Sequence, residues 1–380
     1  MLVEISILNA GLDLGPFDIY AIDAYNTETK LNADYVSRAE LIIGVTYDVP
    51  ENSVAVKAYS IGTCDWYDTS YFSPQSTGFI MEFLVENGET LQIPFHPGCN
   101  MNIDWGDSSD IENVTSTTAY HQYITAGTYN VTINGTCTGV LFVYGGSSDN
   151  LTNIIQWGNV GFTTFEDSFF SCRNLVSLPI GPITGINNVT SFSRTFYNCT
   201  SLETIPDGLF DYCTDVLTFN STFFNCSKIE EIPSGLFDYC INVESFSESF
   251  HDCLLLITIP NGLFNNCTNA TSFKGTFQTC GITTIPNGLF DYNINVTNFG
   301  YCFKLCSNLT AIPNTLFNNC LSITSFMHTF YQCGLLDGNA PDLWNQYPSA
   351  TSADCFRNCL ELDNYYSEIP IDWGGGCVAC

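Results

Sequence analysis

The sequence predicts a mainly β protein: two small β-sandwich-like domains followed by a solenoid of about 27 residues per coil. Three observations predict it. From Leu175 to near the C-terminus one pattern keeps returning, most clearly as L-x-x-I-P-x-G-L-F-x-x-C-x-x-V-x-x-F-x-x-T-F-x-x-C. Its Ile-Pro step recurs at Ile205-Pro206, Ile232-Pro233, Ile259-Pro260, Ile285-Pro286 and Ile312-Pro313, and its F-x-x-C cysteine at Cys172, Cys199, Cys226, Cys253, Cys280, Cys306, Cys333 and Cys359. A fixed period of this length marks structural units that bury their apolar face only by stacking on one another. Upstream of the repeat, apolar and polar residues alternate with a period of two, which is the pattern of half-buried strands. Finally, 45% apolar and 14% aromatic residues are enough to fill a large core, which separates the chain from disordered sequences.

Residues 1–76 read as a small β domain, with alternation in Val54-Ala55-Val56-Lys57-Ala58-Tyr59 and breaks at Gly15-Pro16 and Val49-Pro50. Ser73-Pro74-Gln75-Ser76-Thr77-Gly78 reads as a short linker. Residues 78–146 form a second β domain, in which Gly127-Thr128-Tyr129-Asn130-Val131-Thr132-Ile133 alternates and Gly145-Gly146-Ser147-Ser148 closes the segment. The solenoid occupies 151–380: an abbreviated first coil from Leu151 to Cys172 that serves as a cap, a degenerate coil at 175–201 with Ile183-Thr184-Gly185 in place of Gly-Leu-Phe, regular coils at 202–228, 229–255, 256–281, 282–308 and 309–334, and a last degenerate coil whose tail to Cys380 forms the second cap. Within a coil the apolar positions fall every third residue, as in Cys213, Val216 and Phe219, then Phe223, Cys226, Ile229 and Ile232. A step of three suits 3₁₀ turns alternating with bent strands. Two short strands per coil are therefore expected, each stacking in its own sheet, with turns at Leu209-Phe210 and Phe223.

The nine basic residues are scattered and, against 39 acidic ones, leave a net charge of −30. Phosphate contacts need clustered cations, so this balance argues against nucleic-acid binding and against docking on an anionic membrane; it suits a protein whose copies repel one another in solution. The N-terminus carries neither a basic region nor a long apolar run, so no signal peptide is expected, and no stretch approaches a membrane span. Nineteen cysteines would suit a disulfide framework in a secreted chain. Most of them, however, occupy fixed repeat positions among apolar residues, where a free thiol packs as a small hydrophobe. Stacked thiols pointing the same way do not meet disulfide geometry, so buried free ladders are the preferred reading and systematic bridges the alternative. At the C-terminus Cys355 paired with Cys377 or Cys380, a zinc site adding Cys359, or free thiols all remain open.

Catalytic residues are not expected. The four histidines, His96, His121, His251 and His328, form no recognisable nucleophile arrangement, and G-x-S-x-G, phosphate-loop and H-E-x-x-H patterns are all missing, so the chain reads as a non-enzyme without a cofactor. The one metal candidate is Ca²⁺ at the D-x-x-D-x-x-D run Asp104, Asp107 and Asp110, since hard cations want clustered oxygens; a solvated turn explains the run too. Glycosylation sequons such as Asn220-Ser221-Thr222 and Asn266-Cys267-Thr268 fall on the turns of the repeat, where turn chemistry accounts for them. The candidate binding face is the outward pair inside L-x-x-I: Glu203-Thr204, Glu230-Glu231, Thr283-Thr284 and Thr310-Ala311. Threonine also suits exposed strand positions for purely structural reasons. Cys302 is an extra cysteine in the coil where Asn293 replaces the usual one, which reads as a swapped packing position.

The recurring G-L-F-D-Y-C-x-x-V-x-x-F and T-F-x-N-C-x-x-L text resembles the leucine-rich repeats of BspA-like bacterial surface proteins and the F-x-x-C repeats of mycoplasma-type surface proteins, over about 230 residues. That resemblance implies a leucine-rich-repeat-type solenoid and a role in extracellular recognition or adhesion. Ile103-Asp104-Trp105-Gly106-Asp107, Tyr120-His121-Gln122-Tyr123 and the Gly127–Ile133 strand resemble a PKD-type β-sandwich, which implies a spacer. Gly15-Pro16-Phe17-Asp18-Ile19-Tyr20, Ala39-Glu40-Leu41-Ile42-Ile43-Gly44, Val49-Pro50 and Ser60-Ile61-Gly62-Thr63-Cys64 resemble a small domain at the start of tailed-phage fibre and other virion proteins. Together these resemblances imply a phage virion surface protein: a head fibre, a capsid decoration or a tail-associated receptor binder. It would sit on the virion surface, oligomeric on the particle, touching other virion proteins through the N-terminal domain and a host-surface glycan or protein through the solenoid. Nucleic-acid binding and membrane insertion are not expected. The alternative is an extracellular, cell-surface adhesin of the BspA type.

Overall fold

Antiparallel strands open the chain. The structure, a computed structural model, describes the strands of the first 76 residues together with Leu31, and then residues 78–376 apart from 145, 184, 185 and 187. The linker at 73–77, most of the phage-fibre-like text (15–16, 39–44, 49–50 and 61–64), Thr184-Gly185, and Cys377 and Cys380 lie outside the described residues. The chain divides into two compact units, one built on Met1–Ser76 and one on Thr77–Pro179 with Ile183–Cys380. In the first unit β1 (Leu2–Ile5) pairs with β4 (Val45–Asp48), and β2 (Phe17–Asp23), β3 (Glu28–Lys30), β5 (Ser53–Ser60) and β6 (Tyr67–Tyr71) form an antiparallel sheet in the order β3-β2-β5-β6. The alternating Val54–Tyr59 run lies in the middle of that sheet, with Lys57 opposite Tyr20 on one side and Thr69 on the other.

The second unit begins with β7 (Phe79–Val85), whose Phe79, Met81, Phe83 and Val85 are buried while Leu84 between them is exposed. That period of two lets one face of a strand enter a core while the other meets solvent. β7 sits inside a five-stranded antiparallel sheet of order β10-β9-β12-β7-β13, built with β9 (Asn100–Asp104), β10 (Glu112–Val114), β12 (Gly127–Thr136) and β13 (Leu151–Gln156). β8 (Thr90–Pro94) pairs with β11 (Thr118–Gln122) as a separate ladder. Leu91, Ile93, Met101, Ile103, Val131 and Ile133 supply the buried side chains between them. At the end of β9 the chain turns sharply through Gly106 (φ +77°), where a Cβ would lie 2.5 Å from the Asn130 carbonyl oxygen, so only glycine fits.

β13 belongs to two structures at once. Along its length it pairs antiparallel with β7, and its Asn153 also forms a parallel bridge to Ser177. A separate parallel ladder runs from Ser191 through Thr218, Ser245, Ser272, Asn298 and Ser325 to Thr351, one bridge per coil. Trp157 and Phe162 then pack against Phe79 at 6.3 and 5.1 Å between ring centroids, so the sheet and the coils share one hydrophobic core.

Each coil is made of turns, and here the structure departs from the expected two strands per coil. In the coil at 202–228 turns occupy 207–212 and 220–225, and the only ladder residue is Thr218. The physical reason lies in the hydrogen bonds. Thr222, Phe224 and Cys226 donate their N–H groups back three residues, to the carbonyls of Phe219, Ser221 and Phe223. The alternate residues Ser221, Phe223 and Asn225 donate instead to Ser247, Ser249 and His251 of the next coil. Half of the donors therefore close turns and half join coils, which leaves no run of extended backbone. The arrangement holds Ser221 and Asn225 at φ of +54°, and the same two positions are left-handed in coil after coil, as at Arg194 and Asn198, Glu248 and Asp252, and Tyr301 and Leu305. Such backbone is costly for a residue with a Cβ; the inter-coil bonds that these very N–H groups make offset the cost.

Side chains repeat the same logic inside the stack. One phenylalanine column runs Phe169, Phe196, Phe223, Phe250 with centroids 5.4–5.6 Å apart and near-parallel rings, an offset stack of the favourable kind. The F-x-x-C cysteines are buried free thiols, as are all described cysteines. From Cys199 onward each S–H donates to a carbonyl of the preceding coil, as Cys199 to Phe169 at 3.2 Å, Cys226 to Phe196 at 3.1 Å, Cys280 to Phe250 at 2.9 Å and Cys333 to Phe303 at 3.0 Å. Thr222 and Thr276 do likewise from a neighbouring column, with Oγ1 2.9 Å from the carbonyls of Phe192 and Phe246. Cys302 occupies that hydroxyl column, between Thr276 and Thr329 in coil order, and Cys355 follows it there. Asn293 stays in the second cysteine column, where its Nδ2 donates to the carbonyls of Phe264 and Cys267. The expected exchange between Cys302 and Asn293 is therefore corrected: each replaces its own column's residue, and each side chain has the small size its column requires.

Residues 363–376 close the far end. Phe356 donates its N–H to the Trp373 carbonyl, the Trp373 ring lies 5.8 Å from Phe326, and Tyr365 Oη donates to the Gly374 carbonyl. Because the F-x-x-C thiols both fill space and donate, Cys226→Ala is expected to destabilise the protein by about 1–2 kcal/mol, while Cys226→Ser recovers part of the loss by restoring a donor. Chemical denaturation of the two variants measures this; serine at or below the stability of alanine would reduce the thiol to a space-filler.

Candidate binding face

Several sites suggested by single residues are dispersed by the structure. Asp104 Oδ1 accepts the Gly106 N–H at 2.9 Å and Asp107 Oδ1 the Ser109 N–H at 3.0 Å, both two residues on, so each aspartate closes its own turn. Asp107 Oδ2 meets His121 Nε2 at 2.8 Å, over a histidine ring stacked 4.9 Å from Trp105. Burial opposes ionisation of Asp107, but the hydrogen bonds from Ser109 and His121 outweigh it and hold the carboxyl at about 2. Asp110 stands apart, and among the described residues no group of three or more His, Cys, Asp or Glu side chains is placed to hold a metal ion. The turn is a structural lock: Tyr123 Oη donates to the Trp105 carbonyl at 2.8 Å, and Trp105 Nε1 to Glu112 at 3.2 Å.

His251 and His328 lie near Asp252 and Asp354, at 3.6 and 3.7 Å, and no described histidine side chain hydrogen-bonds a serine, threonine or cysteine side chain. Cys99 and Cys137 face each other with sulfurs 3.7 Å apart. The two titrate as a coupled pair: the hydrogen bond between them lowers Cys99 and, together with burial, raises Cys137. The thiols of the coils are all pushed up by burial, which keeps them protonated donors.

The positions predicted inside L-x-x-I face outward. Glu203, Thr204, Glu230, Glu231, Thr283, Thr284 and Thr310 are all exposed, and each pair is flanked by buried Leu or Ile on both sides. Backbone bonds join the coils at the first residue of some of the pairs: Glu203 donates its N–H to Val176, Thr283 to Ile257, Thr310 to Thr283 and Asp337 to Thr310. The face has two halves of different chemistry. At 203–231 it is carboxylate-rich, with Lys228 Nζ 3.4 Å from Glu203. At 283–311 it is hydroxyl-rich, though Thr310 Oγ1 already donates to the Thr283 carbonyl at 3.1 Å.

Two further columns escaped the sequence reading. One is the tyrosine of G-L-F-D-Y: Tyr212, Tyr239 and Tyr292 are each more than half exposed, with Ile241, Ile294 and Leu321 exposed beside them. The other follows the T-F step, where Phe170, Tyr197 and Phe224 stack at 4.7 and 4.5 Å and His251 continues the row. Farther along it Lys304 lies between the rings of Tyr301 and Tyr331. Both columns carry a signal in the sequence, aromatic residues recurring at the repeat spacing.

No protein-family model matches the chain, and no curated protein matches it in sequence.

Beside the tyrosine column, Asp211 is half-buried, and its burial and the carboxylates of Asp238 and Asp207 push it up to about 6. A carboxyl raised in the folded state favours folding only while it is protonated. The penalty is absent below the ordinary value of 3.8, grows as pH rises, and is complete above about 6. Asp211→Asn is therefore expected to stabilise the protein at pH 7.5 by about 1 kcal/mol, after allowance for solvent screening, with the gain vanishing near pH 4. Thermal melts of both proteins across this range measure the difference; a gain independent of pH would contradict the assignment.

Proposed function

We propose that this chain is a virion surface protein of a tailed phage, in which residues 1–76 dock on the particle, residues 78–146 act as a spacer, and residues 151–380 form a capped leucine-rich-repeat-type solenoid that displays a recognition face. The observation that carries the reading is the division of labour within each coil. Backbone donors, thiols, buried hydroxyls and phenylalanines are consumed between coils, while the residues between them stand outward in columns. A scaffold of this kind suits binding by an extended surface rather than chemistry in a cleft. The resemblance of the repeat text to BspA-like proteins and of the first domain to virion proteins supports the same assignment. On this reading the protein is not an enzyme and needs no cofactor. Its partners are other virion proteins and a host-surface glycan or protein, and it neither binds nucleic acid nor inserts into a membrane. Among the described residues no helix is long and apolar enough to cross one.

The test is location. Antibody labelling and mass spectrometry of purified particles should find the chain on the outside of the virion; its absence there, with the protein instead on a cell surface, would replace this reading by that of a bacterial adhesin. Recognition is tested separately. Thr283→Arg and Thr310→Arg place a bulky cation in the hydroxyl-rich half of the L-x-x-I face without touching the core, so attachment to the host should be lost while the melting temperature is kept. Full attachment by both variants would exclude that half of the face.

A further inference from the structure

The chain has few cations, and three of those in the described structure sit against carboxylates. Arg194 is held by Asp167 at 2.6 Å, Lys228 lies 3.4 Å from Glu203, and Arg357 lies 3.2 Å from Asp354. Lys274 and Lys304 are different. Neither has a carboxylate within 4.0 Å among the described residues. Instead both ammonium groups sit over one ring, that of Tyr301, at 5.9 and 5.2 Å from its centroid, and Lys304 is also 5.6 Å from the ring of Tyr331. His328 fills the remaining side, 5.1 Å from both tyrosines. Lys274 is exposed and the other four are part-exposed, on three successive coils of the stack.

This grouping has no structural necessity. The equivalent positions of other coils carry serine, asparagine, glutamate, phenylalanine or glutamine, as at Asn220, Ser247, Glu248, Phe224 and Gln278, and those coils stack by the same backbone bonds. Two unpaired ammonium groups held together in a chain of net charge −30 repel each other and gain only a modest amount from the ring they share. What they provide is a local anion site, flanked by aromatic faces, on a surface that otherwise repels anions. Glu248 and Asp252 of the neighbouring coil bound it on the side of His251, which they and Lys304 influence in opposite directions. The ligand must therefore carry its negative charge on a body that can use the rings. A bare phosphate would leave Tyr301 and Tyr331 without a role. A pyranose bearing a carboxylate uses both, with its C–H face against tyrosine and its acid group between the lysines.

We infer that Lys274, Tyr301, Lys304, His328 and Tyr331 form a binding site for an acidic glycan, a sugar chain bearing carboxylates. The inference rests on the reading of the coils as a displayed recognition surface and assigns that surface a ligand class, on a face distinct from L-x-x-I. The column that carries Lys304 and Tyr331 also holds the stacked rings of Phe170, Tyr197 and Phe224 farther back, beyond His251 and Gln278.

The experiment measures binding of the full-length protein by isothermal titration to a panel of uronic-acid and sialic-acid oligosaccharides, to neutral oligosaccharides of equal length, and to polyglycerol phosphate. At least one acidic oligosaccharide should bind, with affinity falling as salt rises, and the neutral ones should not. Lys274→Gln with Lys304→Gln should weaken that binding about tenfold or more, since a charge-assisted contact is worth that much. Tyr301→Ala should weaken it as well, whereas Ile124→Ser, at an exposed position of the sheet region away from both faces, should leave it unchanged. Melting curves confirm that each variant is folded, and Tyr301→Leu serves if alanine is not tolerated. Binding by no acidic oligosaccharide, equal binding by neutral ones, or affinity indifferent to the double lysine variant overturns the site. Tighter binding of polyglycerol phosphate that ignores Tyr301 overturns the sugar assignment in favour of a phosphate polymer. None of these outcomes depends on where the protein resides, so a failure here and a failure to find the chain on particles are separate results.

Discussion

A coil made of turns cannot satisfy its own backbone, and that constraint shapes the rest of the molecule. In the region around Phe219–Cys226 every second N–H closes a local turn, and the others have no acceptor except a carbonyl of the next coil. Buried amides without partners are too costly to persist, so each coil must present its carbonyls where the neighbour's donors expect them. The repeat length follows from this requirement, and so do the thiol and hydroxyl columns, which reach back to carbonyls of the preceding coil. At the first of the two places where the register shortens by one residue, between Ser272 and Asn298 in the bridge ladder, the chain adapts at Gly281. A Cβ there would lie 2.5 Å from the Leu254 carbonyl oxygen, so the missing residue is accommodated only because the backbone can approach that closely.

The ends of such a stack pose the opposite difficulty, since a terminal coil offers bonds to nothing. At the start the protein uses a strand with two partners. β13 pairs antiparallel with β7 and, at Asn153, parallel with Ser177, so the sheet hands its hydrogen bonds to the coils without an exposed edge. The side chains make the same transition, through Phe79, Trp157, Phe162 and Phe165 into the phenylalanine columns. At the far end irregular chain does the work, with the carbonyls of Asp372 and Trp373 taking the place of a further coil for the N–H groups of Asp354 and Phe356.

The parts of this that were legible in the sequence are those recorded by position alone. The mainly β character, the turns at Leu209-Phe210 and Phe223, and the exposure of the pairs inside L-x-x-I all follow from spacing. What the sequence could not show was the destination of each hydrogen bond. A step of three residues is equally compatible with short strands and with consecutive turns, and only the alternation of donors between coils decides it. Cys226 was legible as a buried thiol but not as a donor to Phe196, because its acceptor lies 30 residues away. Leu151–Gln156 read as the first coil, and its bonds to β7 depend on a partner 70 residues earlier. The Asp104, Asp107 and Asp110 run offered the right residue types for a cation, but the first two close their own turns before any ion is considered.

The same bookkeeping of bonds determines where specificity can reside. The first left-handed position of each coil holds Arg194, Ser221, Glu248, Gly275, Tyr301, His328 and Asp354 in turn, a range of chemistry that no packing rule selects. Its backbone conformation is fixed by inter-coil bonds whatever the side chain is, and glycine, the residue best suited to that conformation, appears there once. At the other positions the chain accepts the strain of a left-handed residue with a Cβ, which at about 1–2 kcal/mol each is a sizeable sum over a stack of coils. The column is also part-exposed for most of its length. A position that is costly to fill, unneeded for stacking and turned toward solvent is where a repeat scaffold can vary without unfolding. Most of the residues placed there and in the column beside it are aromatic or charged, Ser221, Gly275 and Gln278 excepted, rather than the glycine or asparagine that backbone preference alone would favour. The interior of the stack thus accounts for the letters that repeat, and the surface accounts for those that do not.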